Sequence, residues 1–230
     1  MQLAVIPARG GSKRIPRKNI KLFHGKPMIA WSIEAALESN CFDEVWVSTD
    51  DAEIAQVAQE YGAKVPFLRP DELSDDFATT ADVMQHAVKF FEEEKQVCPD
   101  YVCCLYATAP FVIQQDLLSG LNLIQSEKVD YVFSATTFPF PIQRAIKLTE
   151  NDRVEMFSPE YFNTRSQDLQ EAWHDAGQFY WGTAEAWLSK STVFSNKSMI
   201  IELPRFRVQD IDTLEDWKRA ELIGQALLKE

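Results

Sequence analysis

The chain has 230 residues, 46% of them hydrophobic and 25% charged, with a formal net charge of −12 and a pI near 4.8. That composition supports one main domain with a sizeable core and excludes disorder and fibre. It argues against nucleic-acid or anionic-membrane partners, which need a broad positive face, and no run reaches the roughly 18 apolar residues of a membrane span.

The first predicted element is a strand over Gln2 to Ile6. Its apolar run of about five residues is too short for the core of a signal peptide, so the chain reads as cytoplasmic. Directly after it the charge reverses. Arg9, Lys13, Arg14, Arg17, Lys18, Lys21 and Lys26 all precede the first acidic residue, Glu34, which leaves the other 16 of the 23 Lys and Arg against all 35 Asp and Glu. A strand, then Ala8-Arg9-Gly10-Gly11-Ser12-Lys13, then Lys18-Asn19 before a helix is an order in which bare amides and cations close around phosphates. Gly10 and Gly11 let a phosphate approach the backbone, Ser12 offers a hydroxyl and Lys13 a charge. The alternative is a basic surface turn. The loop is neither GxxxxGK[ST] nor GxGxxG, so neither a γ-phosphate-splitting ATPase nor a dinucleotide enzyme is supported. The expected ligand is a small polyanion, a nucleotide.

Further strands are predicted over Glu44 to Ser48, Lys64 to Leu68, Tyr101 to Tyr106 and Tyr131 to Ala135. Amphipathic helices lie between them. Pro27 opens one that runs to Ser39, Asp50 caps Asp51 to Tyr61 ahead of Gly62, and Thr79 or Thr80 caps another that runs to about Glu94. This alternation predicts an α/β domain with a mostly parallel sheet, helices on both faces and ligands at the carboxyl ends of the strands. From 138 to 173 the alternation lapses into Pro, aromatic and polar residues. A segment that long is expected to carry short elements of its own, to cover the site or to reach a second subunit. Gly177 to Trp181 and Ser198 to Glu202 resume strand character, and Thr213 caps a closing helix to Lys229. Cys41, Cys98, Cys103 and Cys104 lack metal spacing and read as buried reduced thiols, with Cys103 and Cys104 on opposite faces of a strand. His24, His86 and His174 are too scattered for a zinc site.

Three groups outside the basic loop carry possible chemistry. Asp210 and Asp212, if extended, share one face while Ile211 anchors the other, which suits Mg2+. The competing reading is a cap on the last helix by Asp212 or Thr213. Tyr106-Ala107-Thr108-Ala109-Pro110-Phe111 leaves the Tyr101 strand at the ligand edge, where small residues let a base or sugar touch backbone, or where a strand simply exits. Arg69, Arg144 and Arg165 stand among turn and aromatic residues, which suits either carboxylate recognition or a solvated surface.

Taken in order, Ile6-Pro7-Ala8-Arg9-Gly10-Gly11-Ser12-Lys13, Ile15-Pro16-Arg17-Lys18-Asn19-Ile20, Ser48-Thr49-Asp50, Leu68-Arg69-Pro70, Thr108-Ala109-Pro110, Ser166-Gln167-Asp168-Leu169 and Asp210-Ile211-Asp212 resemble the CMP-sugar-acid synthetases, the acylneuraminate cytidylyltransferase family. The resemblance covers essentially the whole chain. The Lys13 to Lys18 variant, the aromatic insertion and Pro204-Arg205-Phe206-Arg207 are most similar to the branch that activates pseudaminic acid. It implies a Rossmann-like fold of the nucleotide-diphospho-sugar transferase type, in which 138–173 serves as a dimerisation or lid segment of a single domain, 1–230, and a homodimer caps the neighbouring site. It also implies that the anomeric hydroxyl of a nonulosonic acid attacks the α-phosphorus of CTP, with Mg2+ required. By motif position, Ala8, Arg9, Gly10, Gly11, Ser12, Lys13 and Lys18 hold the triphosphate, and Asn19, Arg69, Thr80, Ala107 and Thr108 lie near the cytidine. Asp210 and Asp212 hold the metal. Arg9, Lys18 and Asp212 are the implied catalytic group, and Tyr106, Arg144, Arg165, Gln178 and Tyr180 the sugar-binding one.

Family members that use sialic acid read Gln-Pro-Thr-Ser-Pro-Leu at Tyr106 to Phe111, Gly at Arg14 and Asn-Gly-Ala-Ile-Tyr at Ala176 to Tyr180. Loss of the Gln with gain of Tyr106 and Phe111 predicts a more apolar acceptor wall and a deoxygenated, methyl-bearing or diacetamido sugar. Sialic, legionaminic and KDO acids are the alternative acceptors. A sugar-phosphate nucleotidyltransferase would carry a longer Gly-rich loop with Thr-Arg. A non-catalytic regulatory module would bind CTP without releasing pyrophosphate or depending on Asp210 and Asp212. No His is placed to take the hydroxyl proton, which leaves the base open.

Overall fold

The computed structural model describes residues 1–75 and 77–227. Strands β1 (Gln2–Pro7), β4 (Glu44–Ser48), β5 (Tyr101–Leu105), β6 (Tyr131–Thr137), β9 (Trp173–Thr183) and β10 (Ser198–Glu202) form one sheet in the order β10-β6-β9-β5-β1-β4. β1 runs parallel to β4 and β5, and β10 parallel to β6, whereas β9 is antiparallel to both of its neighbours. Two small pairs stand apart: β2 (Leu22–Phe23) with β3 (Lys26–Pro27), and β7 (Ile146–Leu148) with β8 (Val154–Met156). The helices are α1 (Met28–Glu38), α2 (Ala52–Glu60), α3 (Thr80–Lys95), α4 (Gln114–Glu127), α5 (Ala184–Ser189) and α6 (Leu214–Leu227).

Period-two alternation in the central strands builds two cores. Ala4, Ile6, Val45, Val47 and Cys103 face α1, α2 and α4, while Leu3, Val5, Trp46, Val102 and Cys104 face α3 and α5. Cys103 and Cys104 thus take opposite faces, as expected, and burial raises both thiols. Cys98, expected to be buried, is exposed just past α3. A third cluster joins Ile15, Phe23, Met28, Phe111, Ile211, Trp217 and Ala220. It fastens the basic loop and the Asp210-Ile211-Asp212 segment to α6, so two stretches some 200 residues apart in sequence share one apolar anchor.

Several expectations need correction. Lys64 to Leu68 is no strand of the sheet. It makes only isolated bridges, Lys64 to Trp46 and Leu68 to Thr49, because Pro66 between them has no N–H for the ladder. The cap of α2 is Asp51, which accepts from the Glu53 and Ile54 amides at 3.0 Å; Asp50 instead accepts from Gly10 N at 2.8 Å. Thr79 rather than Thr80 caps α3. β9 starts at Trp173, earlier than expected, because its first residues pair with β6 across a register shift. Thr213 caps α6, with Asp216 accepting in return, and the expected end at Lys229 falls outside the described residues.

Candidate active site

β1 and β5 end side by side, and the loop after β1 folds over their carboxyl ends. Ala8 N continues the ladder to Ser48 O at 2.9 Å. The amide of Gly10 is taken by Asp50, and a Cβ on Gly10 would lie 2.7 Å from Asp51 Oδ2, so a larger residue would push aside the carboxylate that caps α2. Gly11 has open space beside it. Asn19 Nδ2 donates to Arg9 O at 3.0 Å, pinning the loop to its own start. Arg17, at φ 55, turns away to pair with Asp51 and Glu53, and its hydrogen bond holds the Asp51 carboxyl below its ordinary range.

The result is a cavity of about 490 Å³. Arg9, Ser12, Lys13, Arg14, Lys18 and Asn19 form its basic wall, and Arg69, Thr80, Ala107 and Thr108 face them. Ala8, Gly10 and Gly11 do not line the cavity: Ala8 is buried, Gly10 half-buried and Gly11 exposed. Arg9 Nη1 donates to Asp75 O at 3.1 Å. Lys18 Nζ donates to Ile211 O at 2.6 Å and Asp212 Oδ1 at 3.3 Å, and Arg14 Nη2 to Asp212 Oδ2 at 2.7 Å.

Arg69 is the most informative residue in this wall. It is only 6% exposed, yet its Nε and Nη2 have no hydrogen-bond partner, and Asp50 Oδ1 is 3.9 Å away. Burial pulls the guanidinium below its ordinary pKa, Asp50 opposing that effect and Arg9 adding to it. Buried donors without acceptors are costly, so a site that keeps them is shaped for a ligand rich in acceptors.

A second cavity of about 860 Å³ adjoins the first and shares Tyr106 and Thr108 with it. Tyr180 and Asp175 stand on one side, Arg205, Phe206 and Asp210 on the other. Tyr106 packs on Tyr180 with ring centroids 5.4 Å apart and lies 3.4 Å from Thr80 Oγ1, while Tyr180 donates to Asp175 Oδ2 at 2.5 Å. Burial raises both tyrosines, which therefore stay protonated. Phe111, expected on this wall, lies instead in the third core cluster against Phe23 and Trp217, because the chain turns inward after Pro110.

The carboxylate pair straddles the two cavities: Asp212 lines the first and Asp210 the second. The Asp212 side chain takes no part in the helix cap, which belongs to Thr213 and Asp216, although the Asp212 amide donates to Asp216 Oδ2 at 3.2 Å. Burial, and next the charge of Asp212, push the Asp210 carboxyl up. Among the described residues no three or more His, Cys, Asp or Glu form a metal-holding group. Two carboxylates that repel each other beside a polyanion cavity nevertheless fit Mg2+, which takes one or two protein carboxylates and completes its shell with water and phosphate oxygens.

The other predicted sugar-binding residues are placed differently. Gln178 is buried, faces neither cavity, and donates through Nε2 to Arg207 O at 2.6 Å. Arg144 and Arg165 stay within the 138–173 segment: Arg144 Nη2 donates to Thr164 O at 2.8 Å, and Arg165 pairs with Asp168 at 2.7 Å. Neither lines the two cavities described above. Sequence reasoning missed Asp50, Asp175 and Arg205. Asp50 follows β4 at the ligand edge, a position the strand-end rule identifies; Arg205 stands in the Pro204-Arg205-Phe206-Arg207 stretch, noted only for its family likeness, and no local pattern singles out Asp175.

The sequence pattern of the family described as "Cytidylyltransferase" matches residues 3–220. Pseudaminic acid cytidylyltransferase of Campylobacter jejuni subsp. jejuni serotype O:2 is 49% identical over 96% of this chain and 95% of its own length. CMP-N,N'-diacetyllegionaminic acid synthase of Legionella pneumophila subsp. pneumophila is 34% identical, over 98% and 99%. The fold is shared with CMP:2-keto-3-deoxy-manno-octonic acid synthetase, solved in complex with CTP, at a TM-score of 0.70 and 19% identity across 98% of this chain and 99% of that one. No helix among the described residues is long and apolar enough to cross a membrane. The basic loop, the buried Arg69 and the carboxylate pair therefore stand in a sequence that matches this family along nearly its whole length, and the chain belongs to the cytidylyltransferase family.

Proposed function

We infer that this chain transfers the cytidylyl group of CTP to a nonulosonic acid, pseudaminic acid foremost, releasing pyrophosphate. The observation that carries this reading is the carboxylate pair set across two adjoining cavities, one basic and the other walled by tyrosines. A nucleotide in the first and a sugar in the second would meet at Asp210 and Asp212. The acceptor's anomeric oxygen forms the new bond to the α-phosphorus as the bond from that phosphorus to the pyrophosphate oxygen breaks. Arg9, Ser12, Lys13 and Lys18 bind the triphosphate, and the cations balance the charge that grows on the leaving group. Arg69, Asn19 and Thr80 hold the nucleoside end. Asp210 and Asp212 would hold Mg2+, which when bound lowers the charge on the α-phosphate and polarises it. Tyr106, Tyr180 and Phe206 suit methyl and acetamido substituents better than a run of hydroxyls. The 49% identity to the Campylobacter enzyme supports the same acceptor.

The test is pyrophosphate release from CTP and Mg2+ with pseudaminic, legionaminic, sialic and KDO acids at equal concentration. Release is expected with pseudaminic acid alone. Release with another acid would move the acceptor and keep the reaction, and none with any acid would favour a nucleotide-binding module.

A homodimer belongs to the same reading. The 138–173 segment exposes Phe140 at 78%, Leu148 at 67%, Val154 at 65% and Phe162 at 70%, far more apolar surface than a short hairpin needs. A second copy is the proposed cover. Sedimentation is expected to give twice the chain mass, and a fully active monomer would refute it.

A further inference from the structure

A carboxylate on the carbon that bears the attacking hydroxyl has to enter the second cavity within a few ångströms of the reacting oxygen. The wall it meets is acidic, with Asp175, Asp210 and Asp216 all facing the space. An acid would be repelled from this place unless cations balance it, and the Mg2+ proposed for Asp210 and Asp212 would leave Asp175 and Asp216 uncovered. Arg205 and Arg219 are the guanidinium groups on that wall. Arg219 is already engaged electrostatically with Asp216, the residue that caps α6 through Thr213. The Arg205 guanidinium has no ion-pair or hydrogen-bond partner among the described residues.

The turn that carries Arg205 is held from every side. Leu203 N donates to Ala135 O at 2.8 Å, and Thr136 Oγ1 donates to Leu203 O at 2.7 Å. Arg207, two residues beyond, forms a two-point pair with Asp116 in which both side chains are largely buried, one arm at 3.1 Å. Gln178 Nε2 donates to Arg207 O from below. Arg205 and Phe206 are thus displayed at the cavity by a pinned turn rather than by a free loop. The backbone under Arg205 is thereby fixed while its guanidinium stays exposed, and a planar fork so placed suits two-point recognition of a carboxylate.

We propose that Arg205 receives the carboxylate of the acceptor acid, and that Gln178 positions Arg205 by fixing the Arg205–Arg207 turn. This rests on the cytidylyl-transfer reading above. Arg205 is a specificity residue for acids. Gln178, which touches neither cavity, acts at one remove.

The experiment is steady-state pyrophosphate release with the intact chain, varying the acid at saturating CTP and then the reverse. Arg205→Ala is expected to raise the acid KM about 100-fold, the loss of a charge-assisted two-point contact, with the CTP KM within about twofold of the parent. Arg205→Lys, which keeps the charge but loses the fork, is expected to fall between. Gln178→Ala alone should raise the acid KM about fivefold to tenfold, and added to Arg205→Ala should raise it no further, since both act on one contact. An unchanged acid KM in Arg205→Ala overturns the proposal, as does a rise confined to Arg144→Ala or Arg165→Ala. A fully additive double variant removes the role of Gln178. No pyrophosphate from the parent chain with any acid would instead refute the reaction itself.

Discussion

Asp212→Asn is expected to lower kcat/KM for pyrophosphate release by about 10³-fold, the cost of losing several kcal/mol of charge stabilisation at the α-phosphate. The fold should not change. The Asp212 side chain is 36% exposed, and its ion pairs with Arg14 and Lys18 join groups in contact with solvent. Pairs of that kind contribute about 0–1 kcal/mol. Thr213 and Asp216 keep the α6 cap, and Ile211 keeps the buried anchor. The melting midpoint is therefore expected to move by less than about 3 °C. CTP binding without metal should be retained or tightened, because Arg14 and Lys18 lose an anion that competes with phosphate. Calorimetric titration of CTP beside single-turnover kinetics separates the two effects. A variant that turns over near the parent rate would remove Asp212 from the chemistry.

Arg69→Met should have opposite effects on the free and the nucleotide-bound protein. In the free protein Arg69 is a buried cation with two donors unpaired and only a distant carboxylate, Asp50, to balance it. Replacing it with an apolar chain of similar length removes a desolvation penalty, so thermal stability without nucleotide is expected to hold or rise. With CTP the same donors find acceptors, and their loss should weaken the nucleotide Kd about 10- to 100-fold. Differential scanning fluorimetry with and without CTP reads both arms. A loss of stability in the free protein would show that Arg69 is a structural pillar, and an unchanged Kd would show that its open donors serve no ligand.

Much of the site could be read along the chain. Strand β1, the paired glycines and the run of cations lie within 26 residues, and each signal is local: an apolar run, absent side chains, charge without counter-charge. The position of Asp50 and of Ala107-Thr108 also follows from strand ends. Lys64 to Leu68 shows the limit of that approach. It has the composition of a strand, but Pro66 leaves it only bridges at either end. Asp51 caps α2 in place of Asp50 because Asp50 is claimed by the Gly10 amide, a bond between residues 40 apart in sequence.

What the sequence determined by itself was the α/β alternation, the basic glycine loop and the carboxylate pair, because these depend on spacings of a few residues that fix backbone periodicity and local charge. What only the tertiary structure decided was which arginine lines which cavity. Arg69, Arg144, Arg165 and Arg205 look alike in a sequence, each a cation among turn and aromatic residues. The third core cluster brings Asp212 to Lys18 across 194 positions, and the pinned turn after β10 sets Arg205 on the second cavity. The 138–173 segment holds Arg144 and Arg165 within itself. Those outcomes follow from long-range packing and from which carboxylates and carbonyls lie within hydrogen-bonding reach, and neither is encoded in the neighbours along the chain.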